Sequence, residues 1–394
     1  MTLTSNDETR GALIDSARAL VAKLRDRAKD AEDARQIPEQ THREFLEAGL
    51  YRVFQPARHG GNELDLGMMI EIAGELGRGC GSSAWIFSNL AVQNWMIGMT
   101  HPQAQDEVWG DNPEALAASS FPSPGATARH VDGGIVADGV WNFASGVDWA
   151  DWNHMQIIIP NESGPPDFRF ALVHKSDYEV IDDWFVTGLA ATGSRSIRVD
   201  QLFIPEHRTL DAVAIRDGDT PGSAVNHNPL FRHTFWAIGS KVFTGPVIGM
   251  ARGALDLITE NIANRVSVGG VKLGEQGSVH LRIAESSAEI AAARALSLSD
   301  CAEAYRMAET GELPSMEQRA AWRRNDAYAV MICVRAVERL YALAGGRGIA
   351  WDNPFQRAWR DIHAGSSQIV VAWDLHATTY GKVKFGMLSP DPRL

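Results

Sequence analysis

The apolar residues change their spacing twice along the chain, and this change constrains the fold more than any other feature of the sequence. Over residues 11–110, apolar side chains recur every three or four positions, which is the spacing of one helix face. Residues 115–215 contain short β-type runs separated by turns such as Asp132-Gly133-Gly134. Residues 237–385 return to long amphipathic helices. This order predicts a helical domain, a small antiparallel β domain and a helical bundle.

We therefore predict an α+β protein that is mainly α and has three domains. The N-terminal α-helical domain spans residues 1–113, the central β domain spans 114–215, and the C-terminal bundle domain spans 216–394. Gly79 and Gly81 are expected to separate two helices of the first domain, because glycine favours helix ends.

Composition and charge exclude several classes of protein. Of 394 residues, 45% are hydrophobic and 22% charged, which is typical of a globular chain. The formal net charge of −12 indicates that the chain as a whole binds nucleic acids and anionic membranes poorly. Cys80, Cys301 and Cys333 are odd in number and far apart, which favours reduced thiols over disulfides or structural zinc. With a polar N-terminus and no apolar run of roughly 18 residues, the chain is expected to be soluble and cytoplasmic.

Searches for common catalytic motifs give little. No GxGxxG follows a strand, and there is no Walker loop, HExxH or GxSxG. Gly345-Gly346-Arg347-Gly348 follows a helix and is more typical of a helix end than of a phosphate loop. The histidines are not spaced as metal ligands on one helix face, so no metal site is expected.

An aromatic cluster surrounds a Ser-Gly pair in residues 139–152. If this segment is a strand, its alternate residues share a face. Trp141, Phe143 and Ser145 would then form an aromatic wall that ends in a hydroxyl group. The alternative is an ordinary β core with Ser145 in a turn, and the residues alone leave both open.

Residues 357–365 form a second unusual cluster, in which Arg360 and Asp361 are adjacent. Neighbouring side chains diverge on a helix, so this pair must bind other elements or the edge of a ligand. A helix end fastened by salt bridges is the simpler alternative.

Taken in order, these clusters and several shorter segments resemble the acyl-CoA dehydrogenase superfamily. The resemblance is strongest to the oxygenase components of two-component flavin-dependent monooxygenases, and it runs from about residue 12 to 386. The matching segments are Phe54-Gln55-Pro56, residues 79–85, Val92-Gln93-Asn94-Trp95, Trp141 to Gly146, Gly188-Leu189, Thr192-Gly193-Ser194, Phe203-Ile204-Pro205 and residues 359–365.

The resemblance implies a barrel-like β domain, a four-helix C-terminal bundle and a homotetramer. It implies that reduced FMN or FAD, supplied by a separate NAD(P)H:flavin reductase, binds between the β domain and the bundle. O2 would form a C4a-hydroperoxyflavin that hydroxylates a small phenolic or indolic substrate, without a metal. This expectation agrees with the missing nicotinamide-binding motif.

The resemblance also assigns candidate site residues. Ser145 falls at flavin N5, where a hydroxyl would hold the N5 proton. The other flavin contacts would be Trp141, Phe143, Ser119, Ser120 and Arg265. Candidate substrate or peroxide contacts are Gln93, Asn94, Trp95, Ser120, His233, His363 and Gln368.

The dehydrogenase reaction can be tested on the sequence, because it needs a carboxylate base beside the substrate. Neither usual location contains one: residues 366–371 read SSQIVV and residues 231–239 read FRHTFWAIG. A dehydrogenase or oxidase with an unusual base, and a scaffold without catalysis, are the remaining alternatives.

Two departures from the phenol hydroxylases concern the substrate. Related enzymes have histidines where this chain has Gln93 and Gln368, and glutamine cannot accept a proton at neutral pH. The substrate is therefore expected to be a phenol deprotonated by another base, such as His363 or His233, or an electron-rich ring such as an indole. Oxidation at nitrogen or sulfur is the further alternative.

Overall fold

A computed structural model describes residues 5–121, 123–161, 163–263, 265–266, 269–389, 391 and 394. Its N-terminal part is helical, as the apolar spacing predicts. The helices are α1 (Ser5–Ala34), α2 (Glu39–Glu47), α3 (Gly67–Gly79), α4 (Gly81–Met99) and α5 (Pro102–Trp109). The expected break between α3 and α4 at Gly79 and Gly81 is confirmed.

Helix α4 is buried along its whole length. It packs against α3, against strand β1 (Ala117–Ser120) and against helix α8 (Lys241–Ile262). Because a helix covered on every side has no water for its polar groups, those groups must find partners inside the protein. The side-chain N–H groups of Asn89 and Asn94 do so by donating hydrogen bonds to the carbonyls of Trp85 and Tyr51, both at 2.8 Å. Asn94 Oδ1 has no hydrogen-bond partner in the described chain.

The central part of the chain forms two four-stranded sheets, in the orders β1-β4-β5-β8 and β2-β3-β7-β6. After β1, the strands are β2 (Thr127–Val131), β3 (Gly134–Ala144), β4 (Trp152–Ile159), β5 (Asp167–His174), β6 (Glu179–Ile181), β7 (Arg195–Pro205) and β8 (Thr209–Asp211).

The central domain is antiparallel, as predicted, except for one pair of strands. Strand β1 pairs with β4 in parallel, and this register places Ser119 opposite His154. The chain between them passes through β2 and β3 in the other sheet, which provides the long crossover that parallel neighbours require. The other strand pairs of the described residues are antiparallel.

The C-terminal part is a helical bundle, as predicted. Helix α10 lies at its centre and contacts α8, α9, α11 and α12. Besides α8, the helices are α6 (Ala212–Asp217), α7 (Phe235–Ile238), α9 (Gly277–Thr310), α10 (Met316–Tyr341), α11 (Pro354–Ser366) and α12 (Trp373–Lys384). Within the described ranges, none of the helices combines the length and the apolarity that crossing a bilayer requires.

A buried ionic cluster joins three helices of the bundle. Lys241 at the start of α8 lies 2.5 Å from Asp326 Oδ1 and 3.3 Å from Asp300 Oδ2. Ser240 donates to the second oxygen of Asp326 at 2.5 Å, and Asn325 donates to Asp300 at 2.9 Å. Burial opposes the charge on Lys241, but the two carboxylates outweigh it and raise its pKa. Burial raises the pKa of Asp300 to about 6.

Candidate functional site

A bulge interrupts β3 at the predicted aromatic wall. Phe143 has a φ of +64°, and the register with β7 shifts between Trp141 and Ala144. Trp141 is only 1% exposed and its Nε1 donates to the carbonyl of Gln156 at 2.7 Å, whereas Phe143 is 53% exposed. The expectation that Trp141 and Phe143 share a face is therefore wrong, because the bulge breaks the two-residue alternation of the strand.

A chain of hydroxyl groups lies next to this bulge. Ser145 Oγ is 2.7 Å from Ser194 Oγ, which is 2.7 Å from Thr192 Oγ1. Thr192 donates to the carbonyl of Leu189 at 2.8 Å, and Trp85 Nε1 donates to Ser145 Oγ at 3.3 Å.

Counting protons fixes the direction of this hydroxyl chain. Each hydroxyl has one hydrogen and two lone pairs. Since Thr192 gives its hydrogen to a carbonyl, it must accept from Ser194, which in turn must accept from Ser145. Ser145 Oγ has thus used its hydrogen and one lone pair, and its second lone pair is open to a donor.

The Arg360 and Asp361 pair fastens α11 to the loop that precedes this chain. Asp361 is buried and its Oδ1 accepts a 2.7 Å hydrogen bond from the backbone N–H of Leu189. Arg360 donates to the carbonyl of Thr187 and ion-pairs with Glu32 of α1 at 2.5 Å. The expectation that the two residues bind other elements is confirmed. Burial raises the pKa of Asp361 to about 6.

One face of α4 connects Ser145 to a second polar group. Trp85 and Gln93 are eight residues apart, so they lie on neighbouring parts of one face and about 12 Å apart along the axis. Trp85 donates to Ser145, while Gln93 Oε1 lies 2.8 Å from His154 Nδ1 on β4.

His154 is the site residue that the sequence did not reveal. Its ring is fully buried, and burial lowers its pKa to about 3, so the imidazole is neutral. Because Gln93 Oε1 can only accept, Nδ1 has the hydrogen and Nε2 has a lone pair. A histidine in an apolar strand was a possible signal, but its pairing with Gln93 depends on tertiary structure.

The two serines of β1 lie on opposite faces of the sheet. Ser119 is half-buried and opposite His154 in the parallel register. Ser120 is fully buried and accepts a 3.1 Å hydrogen bond from Asn153. Only Ser119 shares the face of His154, because strand side chains alternate.

The other α4 candidates serve the surrounding structure. Asn94 binds the carbonyl of Tyr51, and Trp95 Nε1 donates to the carbonyl of Leu230 at 2.8 Å. The Trp95 ring meets the ring of His233 edge-on at 6.2 Å. Burial lowers the pKa of His233 to about 4.

The C-terminal candidates are held at the end of the bundle. His363 Nδ1 is 2.7 Å from the carbonyl of Trp359, and its Nε2 is 2.8 Å from Glu338 of α10. Arg265 donates to the carbonyls of Leu343 and Ala344 after α10. Gln368 is half-buried in the turn after α11. In the part of the chain that is described, these hydrogen bonds do not join Ser145 or Gln93.

Comparisons with known proteins cover nearly the whole chain. Residues 7–109 match the family model of the acyl-CoA dehydrogenase N-terminal domain, and residues 241–373 match that of the C-terminal domain. The flavin-dependent monooxygenase oxygenase subunit HsaA of Mycobacterium tuberculosis (strain ATCC 25618 / H37Rv) is 32% identical over 370 residues, which are 93% of this chain and 94% of HsaA.

Two solved structures are similar throughout. The crystal structure of 3-HSA hydroxylase from Rhodococcus sp. RHA1 has a TM-score of 0.93 and 31% identity, covering 97% of this chain and 99% of its own. XiaF from Streptomyces sp., solved in complex with FADH2 and glycerol, has a TM-score of 0.90 and 25% identity. The match covers 99% of this chain and 98% of the XiaF chain.

Proposed function

The chain belongs to the acyl-CoA dehydrogenase family, in its branch of flavin-dependent monooxygenase oxygenase components, and we propose that it hydroxylates a small phenolic or indolic substrate with reduced flavin and O2. The observation that supports this best is the open lone pair of Ser145 at the end of a directed hydroxyl chain. N- or S-oxygenation is the second candidate, since Gln93 is not a base.

The described residues fit a reduced FMN or FAD. Ser145 offers an acceptor, and Phe143 offers a half-exposed ring beside it on the bulge. Trp85 adds a second ring that donates to the same serine. A flat ligand with N–H donors at one edge satisfies these groups. When bound, reduced flavin supplies two electrons to O2, so that one oxygen atom enters the substrate and the other becomes water.

The chain's hydroxyl groups favour the reduced form of the flavin. Ser145 directs its own hydrogen to Ser194, so it can only accept from the ligand. Reduced flavin has an N–H at N5, whereas oxidised flavin has a bare nitrogen there. Ser145 would therefore accept a hydrogen bond from the N5–H of reduced flavin. With oxidised flavin, the lone pair of Ser145 Oγ would face the lone pair of N5, and the two would repel each other.

The nearby acidic side chain does not serve the rival dehydrogenase reaction. Asp361 lies five residues before the base-free segment at 366–371 and is the carboxylate of α11. It is buried and its Oδ1 already accepts from the Leu189 N–H, which joins α11 to the loop. A base must reach the proton that it removes, so Asp361 is better suited to structure than to proton abstraction.

A separate flavin reductase supplies the reduced flavin of an oxygenase component. We further infer a homotetramer, which large exposed apolar side chains on the C-terminal part support, such as Leu281 at 73% and Trp351 at 69% exposure. A cytoplasmic location is supported by three cysteines that are free and buried.

The test uses the purified protein with reduced FMN or FAD, prepared without O2. On mixing with O2 in a stopped-flow instrument, bound reduced flavin should be reoxidised more slowly than free flavin. Aromatic product formed under 18O2 should contain one labelled atom. Reoxidation at the free-flavin rate with no labelled product would overturn the proposal.

Ser145→Ala tests the role of the hydroxyl. It should bind reduced flavin about tenfold more weakly, as expected for one lost hydrogen bond, and reoxidise it faster. Ser176→Ala, in an exposed loop, is the matched control and should behave like the unchanged protein.

A further inference from the structure

His154 has a buried ring nitrogen without a hydrogen-bond partner among the residues that the structure describes. Its Nδ1 donates to Gln93 at 2.8 Å. The Nε2 lone pair is buried and has no hydrogen-bond donor in the described chain. A buried acceptor without a donor is costly, and native proteins seldom leave one unused. The unused acceptor therefore points to a donor that the chain itself does not supply.

The position of this nitrogen relates it to the flavin end of the site. Gln93, which holds His154, lies two turns along α4 from Trp85, which holds Ser145. About 12 Å of helix separates Trp85 from Gln93, and we place the flavin ring at the Ser145 end and the substrate ring at the His154 end. Ser119 is opposite His154 on the same face of the sheet and is half-buried.

We propose that His154 Nε2 accepts a hydrogen bond from an N–H or an un-ionised O–H of the aromatic substrate, and thereby selects neutral substrates with a donor. This inference rests on the proposed function, because it places the substrate of that reaction. It names His154 as a specificity-determining residue and an indole-type or neutral hydroxyaromatic ring as the substrate class.

The surrounding groups decide between a neutral ring and a phenolate. The imidazole is uncharged, and its partner Gln93 is also uncharged. An anionic phenolate oxygen would face the Nε2 lone pair, which repels it, whereas an N–H or O–H forms a hydrogen bond. No proton moves from the substrate to His154 in this arrangement, and the ring that is hydroxylated keeps its N–H or O–H.

Asn153, the neighbour of His154, offers a contrast on the opposite face of β4. Its Oδ1 is also buried and unpartnered in the described chain, while its amide nitrogen donates to Ser120. This second acceptor lies away from Gln93, because successive strand residues alternate. The two acceptors therefore do not form one subsite, and His154 is the one that contacts Gln93 of α4.

The experiment compares probe pairs that differ only in the donor: indole with N-methylindole, and phenol with anisole. Dissociation constants are measured with reduced flavin bound and O2 excluded. We expect the unchanged protein to bind each donor probe about tenfold more tightly than its methylated partner after correction for their octanol–water partitioning. His154→Phe should reduce this ratio to near one.

Conservative and control variants sharpen the result. His154→Gln provides a carbonyl oxygen and should restore part of the ratio, which a merely structural role would not predict. His174→Gln, on the adjacent strand β5, should leave the ratio unchanged. If His154→Phe does not fold, His154→Leu removes the acceptor in a smaller volume, and the same ratio of dissociation constants decides.

Two outcomes overturn the inference. One is a ratio near one in the unchanged protein, as expected if an ordered water satisfies Nε2. The other is the same ratio in His154→Phe as in the unchanged protein. If reduced flavin is still reoxidised slowly in either case, the proposed function survives and only the substrate assignment fails.

Discussion

The protein contains two buried polar clusters that differ in charge and in completeness. In the bundle, Lys241 is paired with Asp326 and Asp300, and hydrogen bonds from Ser240 and Asn325 complete the carboxylates. Between α4 and β4, by contrast, Gln93 and His154 are uncharged, and one ring nitrogen has no partner in the described chain. The difference shows that burial alone does not mark a functional site. A buried acceptor without a partner can gain energy from a ligand, whereas the completed ionic cluster cannot.

The first prediction concerns the buried ionic cluster of the bundle, where a single substitution should reduce stability most. Lys241→Met removes the cation between two buried carboxylates, so the free energy of unfolding should fall by about 3–5 kcal/mol. Urea unfolding followed by circular dichroism measures it. Lys384→Met is the control, because the Lys384 pair with Glu317 is half-exposed and should contribute under about 1 kcal/mol. A loss below about 1 kcal/mol for Lys241→Met would contradict the structural role of the cluster.

The second prediction concerns pH and the two buried acids with raised pKa values. Burial raises the pKa of both Asp300 and Asp361 from 3.8 to about 6. Between these values the folded state binds more protons than the unfolded state, so these groups make the protein less stable as pH rises from about 4 to 6. Asp361→Asn removes the contribution of one of these acids to the pH dependence of the free energy of unfolding, which is up to about 3 kcal/mol.

The measurement is the free energy of unfolding at pH 4.5 and at pH 7 for each protein. The free energy of unfolding at pH 7 minus that at pH 4.5 should be more positive in Asp361→Asn than in the unchanged protein, since asparagine does not titrate. Asp352→Asn changes an exposed residue and should keep the original slope. Identical slopes for Asp361→Asn and the unchanged protein would refute the raised pKa.

The third prediction concerns the hydroxyl chain, which ends at the Leu189 carbonyl on one side and at the free lone pair of Ser145 on the other. Thr192→Val removes the acceptor for Ser194, so the hydrogens of the chain are free to reverse and Ser145 can donate. Preference for reduced over oxidised flavin should fall about tenfold, the value of one hydrogen bond. Dissociation constants for both redox forms measure it. Thr310→Val, on the surface end of α9, is the control. An unchanged preference would show that proton direction in the chain does not matter.

The fourth prediction concerns the neutral pair of Gln93 and His154, whose replacement should change stability far less than that of Lys241. Replacing Gln93 and His154 together with leucine removes the neutral pair and its unsatisfied nitrogen, so stability should change by less than about 1 kcal/mol. Gln93→Leu alone should cost more, because it leaves the His154 N–H without an acceptor. A double-mutant cycle measures the coupling. A loss as large as that of Lys241→Met would mean that the neutral pair is structural.

Much of the fold could be predicted because periodic apolar spacing is a local property. The break at Gly79 and Gly81 and the change to strands near residue 115 both follow from short windows of sequence. The parallel pairing of β1 with β4 could not be predicted, since it depends on how strands from distant segments meet. The domain limits at 113 and 215 stay predictions.

The site was less predictable, for the same physical reason. Ser145 and the Arg360-Asp361 pair were visible as local clusters, and the pair was expected to bind other elements. The bulge at Phe143 breaks the two-residue alternation of the strand, and the residue pattern did not indicate it. Gln93 and His154 are 61 residues apart, so neither shows its partner. The roles assigned to the site residues stay predictions until the variants are measured.

The complete burial of α4 has a consequence for how the protein loses its activity. A helix with no solvent-facing side has no route to open by itself, so its amides should exchange hydrogen only when the whole molecule unfolds. Both ends of the site, at Trp85 and at Gln93, are mounted on this helix. Heat or denaturant should therefore abolish the site and the fold in a single step, without a folded but inactive species in between.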